Sequence, residues 1–299
     1  MLKGGIGFFD SGVGGLSVLA SCLKSVGGYP VYYYGDNGRA PYGNRPYNEV
    51  RAYVREAFNF LCLLQPVAVV VACNTVTALM IEELRENFPF PIIGIEPAVL
   101  PAAREGERVL VLATKATAES QRLKNLIKQA KKAYPKISVT VAACLNLACL
   151  VEEGVEREGV DFQREFPRVD ADCVVLGCTH YSFLRERIRD FYGAKVFDGN
   201  EGVAGRLGRI LGVCVPNIDG NVDNFSGVGL GIRMLRRLPF IYRKNGRSSR
   251  FFRAKKGRGF CKVKNAQLLY FLGSGRHTNR QFCERMFVLY SVSHGISIF

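Results

Sequence analysis

Short apolar runs rich in β-branched residues alternate with longer amphipathic stretches over the first 212 residues, and this alternation restricts the fold most. It is typical of α/β proteins, in which helices cover both faces of mostly parallel sheets. The predicted strands are residues 6–9, 31–34, 67–72, 92–95, 109–113, 137–142, 174–176 and 195–197. The predicted helices are residues 47–64, 76–87, 118–133 and 183–191.

A boundary between two α/β lobes is predicted near Glu96 and Pro97. The charge-rich segment 104–108 follows this boundary and leads into a new apolar strand, which indicates that a second sheet begins there. We therefore expect a first lobe over residues 1–97 and a second lobe over residues 98–207.

The net charge of +15 is concentrated in the last quarter of the chain. Residues 221–299 hold 16 of the 41 basic side chains but only two of the 26 acidic ones, Asp223 and Glu284. Such a segment could bind nucleic acid or anionic lipid. It could equally be a divergent closing segment of the fold, or the product of a shifted reading frame. The scarcity of acids, the scattered cysteines and the loss of helical periodicity favour the last interpretation.

Several classes of protein do not fit this sequence. No apolar run reaches the roughly 18–20 residues of a membrane helix, and the N-terminus lacks the features of a signal peptide. The ten cysteines form no CxxC pair, and three histidines offer little for a zinc site. We expect free thiols in a reducing cytoplasm and no bound metal.

Two polar clusters follow the first two predicted strands. Asp10 and Ser11 precede the glycine-rich residues 12–15, whose backbone N–H groups could bind an anion. The alternative is a tight turn in which Asp10 or Ser11 caps a helix. Tyr42 and Gly43 follow the second strand and could offer backbone donors and one hydroxyl to a small ligand, or form an ordinary polar loop.

Two later segments resemble each other, and each places a cysteine where an apolar strand meets a helix. They are Cys73-Asn74-Thr75 and Cys178-Thr179-His180. A helix N-terminus stabilises a thiolate, so both thiols are candidate acid/base groups or nucleophiles. We interpret the remaining cysteines of the α/β region as small core residues: Cys22, Cys62, Cys144, Cys149 and Cys173.

Two facing thiols suit a racemase that works without a cofactor. One thiolate removes the α-proton from a tetrahedral carbon, and the opposite thiol returns a proton to the other face. Acid/base groups of this kind need assisting neighbours, and Asp10 could assist Cys73 while His180 assists Cys178.

The motifs together resemble those of the bacterial glutamate racemases, members of the aspartate/glutamate racemase family. The matching segments are DSGVGGLSVL, YYYGDNGRAPYG, VVVACNTVTAL, IIGIEPAV, ATKATAES, LVEEG and LGCTHYSFL, in this order within residues 4–212. The resemblance implies a two-lobed α/β fold with the active site at the lobe interface. It also implies a cytoplasmic enzyme that makes D-glutamate for peptidoglycan without pyridoxal phosphate or metal, and that forms a homodimer in many members.

The resemblance assigns the catalytic pair to Cys73 and Cys178, with Asp10, His180 and Glu152 assisting. The implied substrate contacts are Asp10, Ser11, Tyr42, Gly43, Asn74, Thr75, Thr117, Thr179 and His180. Two positions have structural alternatives. Glu152 could be a solvated helical carboxylate, and Thr117 could be the N-terminal cap of the helix predicted over residues 118–133.

The sequence departs from the family at two places. Ser182 stands where the family usually has proline, and a small effect is expected. Beyond Gly212 the similarity fades, although the family's C-terminal segment returns to complete the first lobe, so part of residues 208–299 is expected to do so here. Two alternative functions remain open: racemisation of aspartate or another amino acid, and binding of nucleic acid by the basic tail of a racemase-like body.

Overall fold

The computed structural model describes residues 4–26, 29–154 and 161–213, together with the backbone of four short strands nearer the C-terminus. Its strands are β1 (Ile6–Asp10), β2 (Val31–Gly35), β3 (Ala68–Val71), β4 (Ile92–Gly94), β5 (Arg108–Ala113), β6 (Ser138–Ala143), β7 (Cys173–Gly177), β8 (Lys195–Phe197), β9 (Arg243–Lys244), β10 (Arg247–Ser248), β11 (Leu269–Gly275) and β12 (Cys283–Tyr290). These strands form two main sheets, one in each lobe, and β9 pairs only with β10.

The helices occupy the segments between the strands. They are α1 (Leu16–Cys22), α2 (Tyr47–Leu63), α3 (Asn74–Asn87), α4 (Val99–Glu105), α5 (Lys115–Glu119), α6 (Gln121–Ala133), α7 (Leu147–Gly154), α8 (Arg185–Tyr192) and α9 (Asn200–Leu211). None of the described helices is long and apolar enough to cross a membrane.

Both sheets have a parallel core. In the first lobe the strand order is β11–β12–β2–β1–β3–β4, in which β1 to β4 run parallel to one another. In the second lobe the order is β6–β5–β7–β8, and all four strands are parallel. The predicted α/β class with two lobes is confirmed.

Each central strand is buried on both faces, which explains its almost continuous apolar sequence. In β3, Val69 and Val71 pack with α2 and α3 on one side, whereas Ala68 and Val70 pack with α1 and α9 on the other. In the second lobe, β5 packs between α7 and α8 on one side and α4 and α6 on the other. Polar side chains are therefore displaced to the strand ends, where they line the site described below.

The basic segment contributes to the first sheet at its edge. The backbone of β12 pairs antiparallel with β2, and β11 pairs antiparallel with β12. Residues 214–242 and most of the other residues beyond 213 lie outside the described part of the chain, so the three interpretations of this segment remain predictions.

The helix predicted over residues 118–133 is instead two helices. Ser120 has an extended backbone (φ −66°, ψ 144°) that separates α5 from α6. Its side-chain oxygen accepts a hydrogen bond from the Leu123 N–H, and Thr114 caps α5 in the same way through the Thr117 N–H. Thr117 thus lies inside α5, and its prediction as an N-terminal cap is wrong.

Four helices were not among those predicted with bounds, namely α1, α4, α7 and α9, although a helix after residues 12–15 and a helical Glu152 were considered. Three of them have only seven or eight residues, and α9 contains three glycines, which weaken the helical signal. Packing stabilises α9, because its apolar side joins α1 in the first-lobe core.

Replacing Ser120 by alanine should lower the free energy of unfolding by about 1 kcal/mol, because α6 loses its N-terminal cap. Urea denaturation followed by far-UV circular dichroism measures the change. Ser138→Ala is the matched control, since Ser138 is an exposed residue at the start of β6. Equal losses in the two variants would contradict the assigned cap.

Candidate active site

The residues that follow β1, β2, β3, β5 and β7 line one pocket between the lobes. Its lining consists of Ser11, Pro41, Tyr42, Gly43, Cys73, Asn74, Thr75, Thr114, Ala148, Cys178, Thr179 and His180. This set includes both predicted thiols and every predicted substrate contact except Asp10 and Thr117. No Lys or Arg lies in the lining.

Cys73 lies between β3 and α3 and is almost fully buried. Its Sγ lies 3.6 Å from the Ser11 Oγ. Burial raises the pKa of the Cys73 thiol to about 12, and the nearby Asp10 adds to this, while the Val76 N–H and Ser11 oppose it. The N-terminus of α3 thus acts in the predicted direction through the Val76 N–H, but the loss of hydration outweighs it and the net pKa is raised.

Asp10 ends β1 and is completely buried beneath the pocket. Its carboxylate accepts hydrogen bonds from the Gly12 N–H at 3.0 Å and from the Thr179 hydroxyl, in the other lobe, at 3.3 Å. Burial raises the pKa of Asp10 to about 6, although His180 and the backbone donors lower it. Neither Asp10 nor Ser11 caps α1, since that helix begins at Leu16.

The second thiol has a different neighbourhood, formed by a histidine and a glutamate. The Cys178 Sγ lies 3.6 Å from His180 Nδ1, and His180 Nε2 lies 2.5 Å from Glu152 Oε1. Burial alone would lower the pKa of His180, but its hydrogen bonds to Cys178 and Glu152 hold the pKa well above the usual value. Glu152 is thus paired with a buried imidazole, not solvated on a helix surface.

Tyr42 lines the pocket, but its hydroxyl is hydrogen-bonded to Asp36 and not directed toward a ligand. That hydroxyl donates to the buried carboxylate of Asp36, which also accepts from Arg39 Nε at 2.6 Å. Burial and the Asp36 charge keep the pKa of Tyr42 well above its usual value. We expected this hydroxyl to be offered to a ligand, but the geometry leaves the ring and the neighbouring backbone for that role.

Thr114 occupies the place in the pocket that the sequence assigned to Thr117. Its Oγ1 lies 3.0 Å from the Thr75 Oγ1 across the lobe interface and donates to the Thr117 Oγ1 at 3.1 Å. Thr117 lies behind it, in the lining of a second, separate pocket. Thr114 could have been found from the sequence, because it is the first residue after β5, as Ser11 is after β1.

Among the residues that the structure describes, no group of three or more His, Cys, Asp and Glu side chains is placed to hold a metal ion. The arrangement instead offers two thiols in one pocket, each with a separate acid/base neighbour.

Comparison with known proteins agrees with this geometry. The family model "Asp/Glu/Hydantoin racemase" matches residues 11–205. Glutamate racemases from Clostridium botulinum and Clostridium perfringens are 38% and 42% identical to the chain over 216 and 218 residues, which is 69% of this chain and 83% and 82% of theirs.

Solved structures give the same result. Glutamate racemase isoform RacE1 from Bacillus anthracis has a TM-score of 0.60 at 30% identity, with 79% of this chain and 95% of that chain covered. The Escherichia coli glutamate racemase, solved with L-glutamate and the activator UDP-MurNAc-ala, has a TM-score of 0.63 at 27% identity, with coverage of 79% and 95%.

The chain therefore belongs to the aspartate/glutamate racemase family, a family of isomerases. The sequence motifs indicated a resemblance to the bacterial glutamate racemases, and the comparisons confirm it.

Asp10→Asn should stabilise the fold at neutral pH. The folded-state pKa of about 6 exceeds the ordinary aspartate pKa of 3.8. The wild type therefore loses stability as the pH rises from about 4 to 6, because in this range the native carboxyl keeps a proton that the unfolded chain has released. Asparagine carries no charge, and its side-chain oxygen can still accept from Gly12. The stability difference between the variant and the wild type should grow across this range by an amount on the order of 3 kcal/mol.

Urea denaturation at pH 4, 5, 6 and 7 measures this difference. Asp190→Asn provides the control, since Asp190 is an exposed carboxylate on α8. A difference between Asp10→Asn and the wild type that does not change with pH would contradict the raised pKa.

Proposed function

We propose that this protein interconverts L- and D-glutamate by a two-thiol mechanism in which Cys73 and Cys178 act on opposite faces of the α-carbon. The observation that carries the proposal is that both thiols line one pocket and each has its own acid/base neighbour. The glutamate racemases among its relatives support the choice of substrate, and one of them was solved with L-glutamate bound.

In the forward step one thiolate takes the α-proton, and the electron pair left on the carbon is delocalised into the adjacent carboxylate. The opposite thiol then donates its proton to the other face, which inverts the centre and leaves the two thiols with exchanged protonation states. In the reverse direction the two groups exchange roles, so no redox partner or other co-reactant is needed.

The two thiols receive different assistance. Ionised Asp10 can accept the proton of Cys73, whose raised pKa otherwise keeps it a thiol at neutral pH. His180, paired with Glu152, can exchange a proton with Cys178 through Nδ1. General acid–base assistance of this type contributes about 10²–10⁴-fold to a rate.

The substrate carboxylates are held by oriented dipoles in this proposal, since the lining contains neither Lys nor Arg. Backbone N–H groups at the start of α3, at Asn74 and Thr75, suit an anion. The hydroxyls of Ser11, Thr75 and Thr179 supply further contacts. Thr117 acts through Thr114, to which it is hydrogen-bonded.

The cellular role that we propose is the supply of D-glutamate for peptidoglycan synthesis in the cytoplasm, with the chain acting as a homodimer and without a cofactor. The glutamate racemases among the relatives of this chain support the proposed role. The domain organisation proposed with it keeps residues 1–97 and 98–207 as the two lobes, with part of residues 208–299 completing the first.

Cys73→Ala and Cys178→Ala should each abolish racemisation, because one base cannot serve both faces of the α-carbon. Purified protein is incubated with L-glutamate in deuterated water without added cofactor, and loss of optical rotation and α-deuteration are followed. Cys62→Ala is the control, since this half-buried thiol lies on α2 outside the pocket lining. Wild-type protein that neither racemises nor deuterates glutamate would refute the proposal.

The same assay separates glutamate from other substrates. Aspartate racemisation is the main alternative within the family, and a panel that contains L-glutamate, L-aspartate and L-alanine at equal concentration distinguishes them. We expect the highest kcat/KM for glutamate. A higher value for aspartate would leave the two-thiol mechanism intact and change the substrate.

A second candidate function, nucleic-acid binding, is favoured only by the charge of residues 221–299. It requires the full chain to bind duplex DNA with an affinity that falls steeply with salt. Fluorescence anisotropy with labelled DNA at 50 and 200 mM salt tests it. Absence of binding at 50 mM salt would exclude this function.

A further inference from the structure

The carboxylate of Glu152 is shared between the two lobes. Its Oε1 lies 2.5 Å from His180 Nε2, within the second lobe, and accepts the Val13 backbone N–H of the first lobe at 3.0 Å. Glu152 does not line the pocket, so its contribution reaches the thiol only through His180. The Val13 N–H therefore fixes the outer end of the chain Glu152–His180–Cys178.

This contact is possible only because the turn of residues 12–15 has almost no side chains where it meets the second lobe. A Cβ on Gly12 would lie 1.8 Å from Glu152 Oε1 and 3.1 Å from His180 Nε2. A Cβ on Gly14 would lie 2.4 Å from the Thr179 Oγ1 and 2.8 Å from the His180 backbone nitrogen. The backbone of this turn therefore lies closer to His180 than it could if residues 12 and 14 carried a side chain.

A matching contact runs in the opposite direction across the interface. The hydroxyl of Thr179, in the second lobe, donates to Asp10 Oδ1 in the first lobe at 3.3 Å. Each lobe therefore supplies the donor that holds the assisting carboxylate of the other lobe. Separation of the lobes would remove both donors at once.

We propose that Gly12 is a positioning residue for the reaction, because its missing side chain lets the Val13 N–H hold Glu152 against His180 and so completes the Glu152–His180–Cys178 acid–base relay. This inference rests on the proposed two-thiol mechanism. It assigns no new catalytic group, since neither Gly12 nor Val13 touches the reacting atoms.

Proton exchange along Glu152, His180 and Cys178 explains why the position of Glu152 matters. Glu152 retains the proton on His180 Nε2, so that Nδ1 is free to exchange a proton with Cys178. If Glu152 moves, His180 is left buried with no carboxylate at Nε2. Other ionisable groups that interact electrostatically with this cluster include Asp10, Tyr33 and Cys73 of the first lobe. Cys144 and Tyr181 of the second lobe also interact with it.

Gly12→Ala tests the proposal directly. The closest atom to the new methyl group is the end of the flexible Glu152 side chain, so the protein should fold with that carboxylate displaced. We expect kcat to fall about 10- to 100-fold, as misplaced acid–base groups do, while KM stays within about twofold because the pocket lining is unchanged. Gly202→Ala is the matched control, since an added Cβ there meets no atom within 4 Å, and it should leave both constants unchanged.

Two further readouts separate positioning from general damage. With α-deuterated substrates, the isotope effect on kcat/KM should rise for the enantiomer deprotonated by Cys178 and fall for the other, because only one proton transfer has been slowed. Glu152→Gln should shift the isotope effects in the same sense, and the Gly12→Ala/Glu152→Gln double variant should be no slower than the slower single variant.

The outcomes distinguish this inference from the function on which it rests. If the wild type does not racemise glutamate, the proposed function fails. If the wild type and Gly202→Ala are active and Gly12→Ala matches them, the positioning role of Gly12 is overturned. Additive losses in the double variant, or isotope effects that change equally for both enantiomers, would overturn it as well.

If Gly12→Ala does not fold, the kcat and isotope effects of Val13→Pro, which removes the backbone N–H, are compared with those of Val13→Ala, which keeps it.

Discussion

The close approach of the turn 12–15 to the segment after β7 is the constraint on which the rest of the site depends. It brings a buried aspartate of one lobe and a buried histidine of the other into the same water-poor region. In such a region charges interact strongly and unpaired polar groups are costly, and the Asp10 and Glu152 carboxylates each accept a hydrogen bond from the opposite lobe. The fold provides this approach by ending two buried parallel strands, β1 and β7, on opposite sides of one pocket.

Burial affects the acid/base groups unequally, and this inequality gives them different chemistry. Asp10 and the Cys73 thiol are both pushed toward their neutral forms, whereas His180 keeps its proton because Glu152 and Cys178 outweigh the loss of hydration. The two halves of the site are therefore related in position but differ in their ionisable neighbours, and in the proposed mechanism a carboxylate serves one thiol and an imidazole the other.

The sequence predicted the two-sheet fold and most of the pocket because both depend on local patterns. Apolar runs reveal strands, and in parallel sheets the residue after a strand faces the ligand, which identifies Cys73 and Cys178. The break at Ser120 was missed because residues 118–133 keep a helical pattern through it. The Val13–Glu152 contact could not be predicted, because the two residues are far apart in the sequence. The donor is also a backbone N–H, which every residue except proline has, so the residue type at position 13 does not indicate it.

The separate neighbours of the two thiols have a consequence for repeated turnover. Under the proposed mechanism, each conversion leaves the proton on the thiol opposite to the one that held it before, so the free enzyme exists in two forms, each competent for one enantiomer. Before the enzyme can convert a second molecule in the same direction, the proton must return to the thiol that held it at the start.

The hydrogen bond from Thr179 to Asp10 is the only direct link between the two acid/base clusters among the side-chain contacts of the described residues. Asp10 and His180 are buried, whereas the Glu152 side chain is 16% exposed. The restoring proton therefore enters either through the pocket or through Glu152, and entry through the pocket competes with binding of the next glutamate at high substrate concentration.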